Sequence, residues 1–238
     1  MSDHRIPWNT VIAYGAPGVG AGYMYLLVGL YVMKFSTDVL LISPFIMGLI
    51  FSTSRVWDAI SDPLVGYLSD RTKSRFGRRR TWILASIVPI SIAFLMIFMP
   101  PENLSGTALI AWMAIGIIGF YSVMTFFFVP HLSLGAELTD NYHERSRLFG
   151  MRHAFWTFGS ISCLISMQLL INAETNTEGQ VRQTAESLAI LAIMIMAILI
   201  IFAVWQLRER EDFQGRVSGK PTKVFKDVWE NHHARLLI

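Results

Sequence analysis

The chain has 238 residues, of which 53% are hydrophobic and only 16% charged, with a formal net charge of +3. A soluble domain carries about 25% charged residues, so this shortfall, with a mean hydropathy of +0.45, argues for a chain that crosses a membrane several times. The single cysteine, Cys163, excludes an internal disulfide and a cysteine-based zinc site.

The N-terminal MSDHRIPWNT has no charged, apolar and small-residue succession, so no cleavable signal peptide is expected. A hydrocarbon core of about 30 Å needs about 20 mostly apolar residues per helix. Six segments meet this: 11–35, 42–68, 82–99, 107–134, 148–171 and 188–207. The expected fold is an all-α polytopic membrane protein, with an N-terminal six-helix bundle over 1–207.

The first segment holds Gly15, Pro17, Gly18, Gly20 and Gly22. The Gly18-x-x-x-Gly22 spacing lets two helices approach closely, with a hinge or an access gap as the alternative. The second reads ISPFIMGLIFSTSRVWDAISDPLVGYL and carries Asp58 and Asp62 in its middle. Four residues apart, they lie on one helix face, and Arg55 joins them. A carboxylate in lipid costs about 2.5–3.5 kcal/mol on insertion scales. It is retained where it faces a partner, a water-filled cavity or an ion. The cluster reads as a coupling-ion or proton site of a transporter, against a structural ion pair with Arg55. The loop after it joins Gly66, Asp70 and Arg71 to Gly77, Arg78, Arg79 and Arg80. The fourth segment contains Thr125-Phe-Phe-Phe-Val-Pro130-His131, an aromatic wall with a proline kink or a lipid-facing run. His131 is either a titrating group near neutral pH or a structural one. Arg152 enters near the start of the fifth segment and needs a partner.

Charge distribution gives the expected orientation. The second-to-third loop, the fourth-to-fifth loop, the N-terminus and the tail hold sixteen of the 20 Lys and Arg. The opposite connections 36–41 and 100–106 hold none, and 172–187 holds only Arg182. The positive-inside rule then places both termini in the cytoplasm, in a cell (inner) membrane. Residues 208–233 read as a basic cytoplasmic linker, and the apolar onset at 234–238 as the start of a seventh helix cut short, with a C-terminal six-helix half missing.

The G-x-x-x-D-R pattern at Gly66–Arg71, followed by Gly77-Arg-Arg-Arg80, resembles the loop signature of the major facilitator superfamily. With Arg-Val-Trp-Asp-Ala-Ile-Ser-Asp-Pro before it, Arg55–Trp82 is similar to the glycoside–pentoside–hexuronide:cation symporter family. Phe35–Asp38, Val129–Thr139 and Glu144–Arg152 agree with it. The resemblance implies a secondary active transporter working by alternating access. Its cation site is built from helices two and four, with Asp58, Asp62, Ser61 and Thr125 as ligands. It implies sodium or a proton as the coupling ion, no other cofactor or metal, a small organic solute such as a sugar as substrate, and no nucleic-acid partner. The family often has Asn where this chain has Ser61. Where melibiose-type members grip sugar with acids on helices one and four, this chain has Gly22 and Phe128. Tyr25 and Arg152 complete the implied substrate set, Arg152 holding an anionic group or pairing with Asp58. Gly66, Asp70, Arg71, Gly77 and Arg78 form the gating loop.

Two other function classes fit the residues less well. Intramembrane aspartyl proteases place their aspartates on two helices, whereas Asp58 and Asp62 share one, and no H-E-x-x-H or G-x-S-x-G run occurs. An enzyme is therefore not expected. A transporter of a less polar, lipid-like solute, or a non-transporting truncated product, are the alternatives to the sugar reading.

Overall fold

The computed structural model describes residues 5–174 and 178–209. Six long helices follow in chain order, with no strand among the described residues. They are α1 (Trp8–Val39), α2 (Pro44–Arg71), α3 (Arg78–Phe98), α4 (Gly106–Glu137), α5 (Tyr142–Glu174) and α6 (Glu178–Gln206). The linker expected over 208–233, beyond its first two residues, and the seventh-helix onset at 234–238 lie outside the described residues.

Four helices are long and apolar enough to cross a membrane by composition: α1, α3, α4 and Gln180–Gln206 within α6. α2 has the length, 28 residues, but not the apolarity, because Arg55, Asp58 and Asp62 dilute it. The helices also outrun the apolar segments. Of the stretches 36–41 and 172–187, read as connections, residues 36–39, 172–174 and 178–187 are helical.

α1 is not uniform. Pro17 has no N–H to give to the preceding turn, and the helix breaks at Ala16. Two π-turns follow, Leu27–Tyr31 and Phe35–Val39. α3 is interrupted at Ser86, one turn before Pro89.

α1 packs on α5 and α6; α4 packs on α2 and α3; α3 also meets α6. Exchanging helices 1, 2, 3 with 4, 5, 6 maps this pattern onto itself, as expected of two three-helix repeats. The α1–α5 seam is closed by glycines. A Cβ on Gly22 would collide with the Trp156 carbonyl, and one on Gly159 with the Val19 carbonyl. At Gly18 it would stand 2.9 Å from the Arg152 carbonyl. Gly22 is thus backbone-against-backbone packing and offers no surface to a solute, which corrects its place in the expected substrate set. Gly66 is ordinary: a Cβ there would meet only Val129 Cγ1 at 3.5 Å, so close approach is not its reason for being glycine.

One end of the bundle is tied by ion pairs. Arg78 donates to Glu137 at 2.7 Å and Arg79 to the same carboxylate at 3.1 Å. Arg79 also pairs with Asp70 and donates to Ser69 Oγ at 2.7 Å. The Glu209 carboxylate accepts from the backbone N–H groups of Arg78, Arg79 and Arg80, each at 2.8 Å. Gly77, at φ +106°, precedes this helix start, and a Cβ on it would lie 2.5 Å from Glu209 Oε1. Arg71 stands instead over the Tyr67 ring, 4.3 Å from its centroid. Of the residues expected to form a gating loop, Gly66, Asp70 and Arg71 lie on α2, Gly77 precedes α3 and Arg78 opens it, and their partners include Glu137 on α4 and Glu209.

Candidate cation and solute site

Helical spacing puts Asp58 and Asp62 one turn apart on α2, and the packing of α2 on α4 brings Thr125 against them. Thr125 Oγ1 donates to Asp62 Oδ1 at 2.8 Å. Thr125 is nearly buried, whereas Asp62 remains exposed. A hydroxyl that donates to a carboxylate keeps its lone pairs, so Thr125 can still offer oxygen to a cation. Asp58 Oδ2 lies 3.5 Å from Arg55 Nη1. Asp58 Oδ1 is buried without a hydrogen-bond partner among the described residues, an unusual state for a carboxylate oxygen. Arg55 is only partly neutralised by this long pair, and its guanidinium sits 4.1 Å over the Tyr121 ring. Ser61 is buried and turns its hydroxyl back on its own helix, donating to the Asp58 carbonyl at 3.4 Å. The geometry joins Asp58, Asp62 and Thr125 but does not bring Ser61 to either carboxylate.

Beside these carboxylates lies an aromatic floor. The Tyr25 ring is 5.3 Å from Phe128, 5.4 Å from Trp156 and 5.6 Å from Tyr121. Phe128 and Trp156 meet at 5.6 Å. Tyr25 is within electrostatic reach of Asp58, Arg55 and Asp62, so floor and carboxylates form one region. Arg152, partly buried, stands over the Phe128 ring, 5.7 Å from its centroid. It makes no ion pair with Asp58; Arg55 holds that place, and no carboxylate lies within ion-pair distance of Arg152 among the described residues. The aromatic run of α4 splits three ways. Phe126 packs edge-on to Trp82 at 5.4 Å, Phe127 is buried against His131, and Phe128 faces the floor. His131 is buried between Tyr14 and Phe127, its Nε2 3.0 Å from the Tyr14 carbonyl, and takes no part in the site.

Tyr121 and Trp156 were missed from sequence. The available signal was periodicity: Tyr121 is one turn before Thr125, and Trp156 one turn after Arg152.

A sequence model of the family described as MFS/sugar transport protein matches residues 13–238. The chain belongs to this family. Among curated relatives, it is 32% identical over 213 residues to an uncharacterised symporter of Synechocystis, covering 86% of this chain and 38% of that one. It is 28% identical over 205 residues to the isoprimeverose transporter of Lactiplantibacillus pentosus, covering 85% and 43%. It is 25% identical over 183 residues to the sodium-dependent lysophosphatidylcholine symporter 1 of Xenopus tropicalis, covering 76% and 35%. The chain thus spans less than half the length of these relatives. The MFS/sugar transport proteins it resembles are symporters and transporters rather than enzymes, and with its apolar helices the chain is an integral membrane protein.

Proposed function

We propose that this chain supplies the cation-binding half of a secondary active transporter, with a small organic solute carried beside the ion. The observation that carries this is the α2–α4 junction. Two carboxylates and a threonine hydroxyl meet there, one carboxylate oxygen lacks a partner, and only a single long ion pair offsets the charge. A hard cation takes oxygen ligands of this kind. A bound sodium ion or proton at Asp58 and Asp62 lowers the net negative charge of an apolar interior, which eases the rocking of one half against the other. The solute then rests on Tyr25, Phe128, Tyr121 and Trp156 with Arg152 at the edge. Ser61 would need a rotamer change to contribute. The second six-helix half completes the path, and the basic connections put both termini in the cytoplasm of a cell membrane.

A less polar or lipid-like solute is the second reading, favoured by a floor made of the rings of Tyr25, Phe128 and Trp156, with Gly22 and Phe128 at the positions where acids would grip a sugar. The test is uptake by the intact protein in proteoliposomes, using labelled glycosides in one series and lysophospholipids in the other. Sodium or proton gradients are imposed. Uptake that rises with one gradient and is lost in Asp58→Asn and Asp62→Asn supports the site. Uptake indifferent to both gradients, or unchanged in both variants, rejects it.

A further inference from the structure

A second cavity lies at the helix starts of α1 and α5, away from the carboxylates and the aromatic floor, with a volume of about 770 Å³. That falls within the range of small-ligand clefts, about 300–1,000 Å³. Its walls carry Arg5, Trp8, Asn141, His143, Glu144 and Arg147. The one acid in the wall is already engaged. Glu144 is buried, pairs with Arg147 at 2.9 Å and accepts from the Ile6 N–H at 2.9 Å. Arg147 in turn donates to the Ile6 carbonyl and stacks 4.6 Å over the Trp8 ring. Asn141 Oδ1 accepts from the His143 N–H at 2.8 Å. These contacts fix the shape of the pocket. They leave Arg5 exposed, with no carboxylate in ion-pair distance among the described residues, and His143 exposed beside it. The cavity is therefore electropositive.

Two exposed rings stand with it. Trp8, in its wall, is 60% exposed, and Tyr142, 77% exposed, meets the ring of the wall residue His143 at 5.7 Å. Both stand at the first residue of a long helix, where one end of the apolar span meets water. Exposed Trp and Tyr at that depth mark the headgroup level of a bilayer. Basic pockets between helices at that level take phosphate-bearing headgroups.

We propose that this cavity binds the phosphate of an anionic phospholipid headgroup, Arg5 and His143 contacting the phosphate while Trp8 and Tyr142 lie along the glycerol region. The ligand chemistry is a phosphate ester, and the exposed rings select the lipid over a free one. Which leaflet supplies it rests on the orientation proposed above; binding itself does not.

The test uses the intact protein in detergent, with phosphatidylglycerol or phosphatidylcholine added and bound lipid counted by native mass spectrometry. The wild type is expected to retain phosphatidylglycerol over phosphatidylcholine. Arg5→Gln is expected to weaken that preference by about fivefold, the effect of one cation near a charged lipid surface. Lys73→Gln, an exposed cation outside the cavity, is expected to leave it unchanged. Glycerol 3-phosphate at lipid-like concentrations is expected not to displace the lipid. The proposal is overturned by a wild type without preference, by an Arg5→Gln protein that binds as the wild type does, by a Lys73→Gln protein that loses as much, or by displacement with glycerol 3-phosphate. Neither transport activity nor membrane orientation enters the readout, so failure of the transporter reading would leave this result interpretable.

Discussion

The Thr125 hydroxyl separates two roles that a carboxylate alone would leave mixed. It donates to Asp62 at 2.8 Å from a different helix, so in the proposed site it would both orient the carboxylate and offer a lone pair to the ion. Thr125→Ala removes both; Thr125→Ser keeps both at the cost of a methyl contact. A lost hydrogen bond to a charged group is worth about 1.5–3 kcal/mol. The alanine variant of the intact protein is therefore expected to need at least tenfold more coupling ion for half-maximal uptake, and the serine variant to stay within about threefold of wild type. Equal ion dependence in all three would remove Thr125 from the site. The spacing of Asp58 and Asp62 was readable from the chain, because two residues four apart on a helix share a face whatever surrounds them. Close packing at Gly22 was readable too, from the Gly18-x-x-x-Gly22 spacing, but its partner was not: a glycine carries no side chain to announce its surroundings, and only the fold brings the Trp156 backbone across it.

At the scale of the helix, the α1–α5 seam and the basic helix start of α3 carry different kinds of stability. In the seam, carbonyls of one helix occupy the space that a Cβ of the other would need. Gly22→Ala must push the helices apart, and overpacking of this sort costs about 1–3 kcal/mol. Gly29, on the same helix, has nothing within 4 Å of its would-be Cβ. Melting of the purified protein in detergent is expected to fall by several degrees in Gly22→Ala and to hold or rise slightly in Gly29→Ala. A fall of equal size in both would mean that the close crossing at Gly22 does not set the effect. At the start of α3, Arg78 and Arg79 are 6% and 7% exposed and lean on Glu137. Breaking a buried pair from one side costs about 3–5 kcal/mol. Glu137→Ala is expected to lower the melting midpoint more than Gly22→Ala does. The arginine-rich loop was evident as a topogenic signal, but its partners were not: Glu137 stands 58 and 59 residues from the arginines and Glu209 lies about 130 beyond them. Separations of that order carry no local signature. The π-turns of α1 are equally silent in sequence, since they follow from how the helix is held rather than from a residue pattern.

Across the whole molecule, charge rather than apolarity sets the expected orientation. The stretch from Arg71 to Arg80, across the connection of α2 to α3, holds six arginines and lysines and stands opposite a connection between α3 and α4 that has none. Topogenic weight falls on short loops of this type, and both fit the requirement. The helix count agrees with the six apolar segments, although α2, which carries Arg55, Asp58 and Asp62, falls short of the composition of a span. Orientation is open to a direct measurement. Phe76 is 59% exposed in the basic connection, and Asn103 is exposed in the bare one. The one native cysteine, Cys163, is buried, so a single introduced thiol reports without interference. In intact cells, a membrane-impermeant maleimide is expected to label Asn103→Cys and to spare Phe76→Cys until the membrane is opened. The reverse pattern would put the basic loop outside. Both termini, the ion-paired end of the bundle and the lipid cavity beside Arg5 would then move to the outer leaflet, while the Asp58–Asp62–Thr125 junction, set by helix packing alone, would stay where it is.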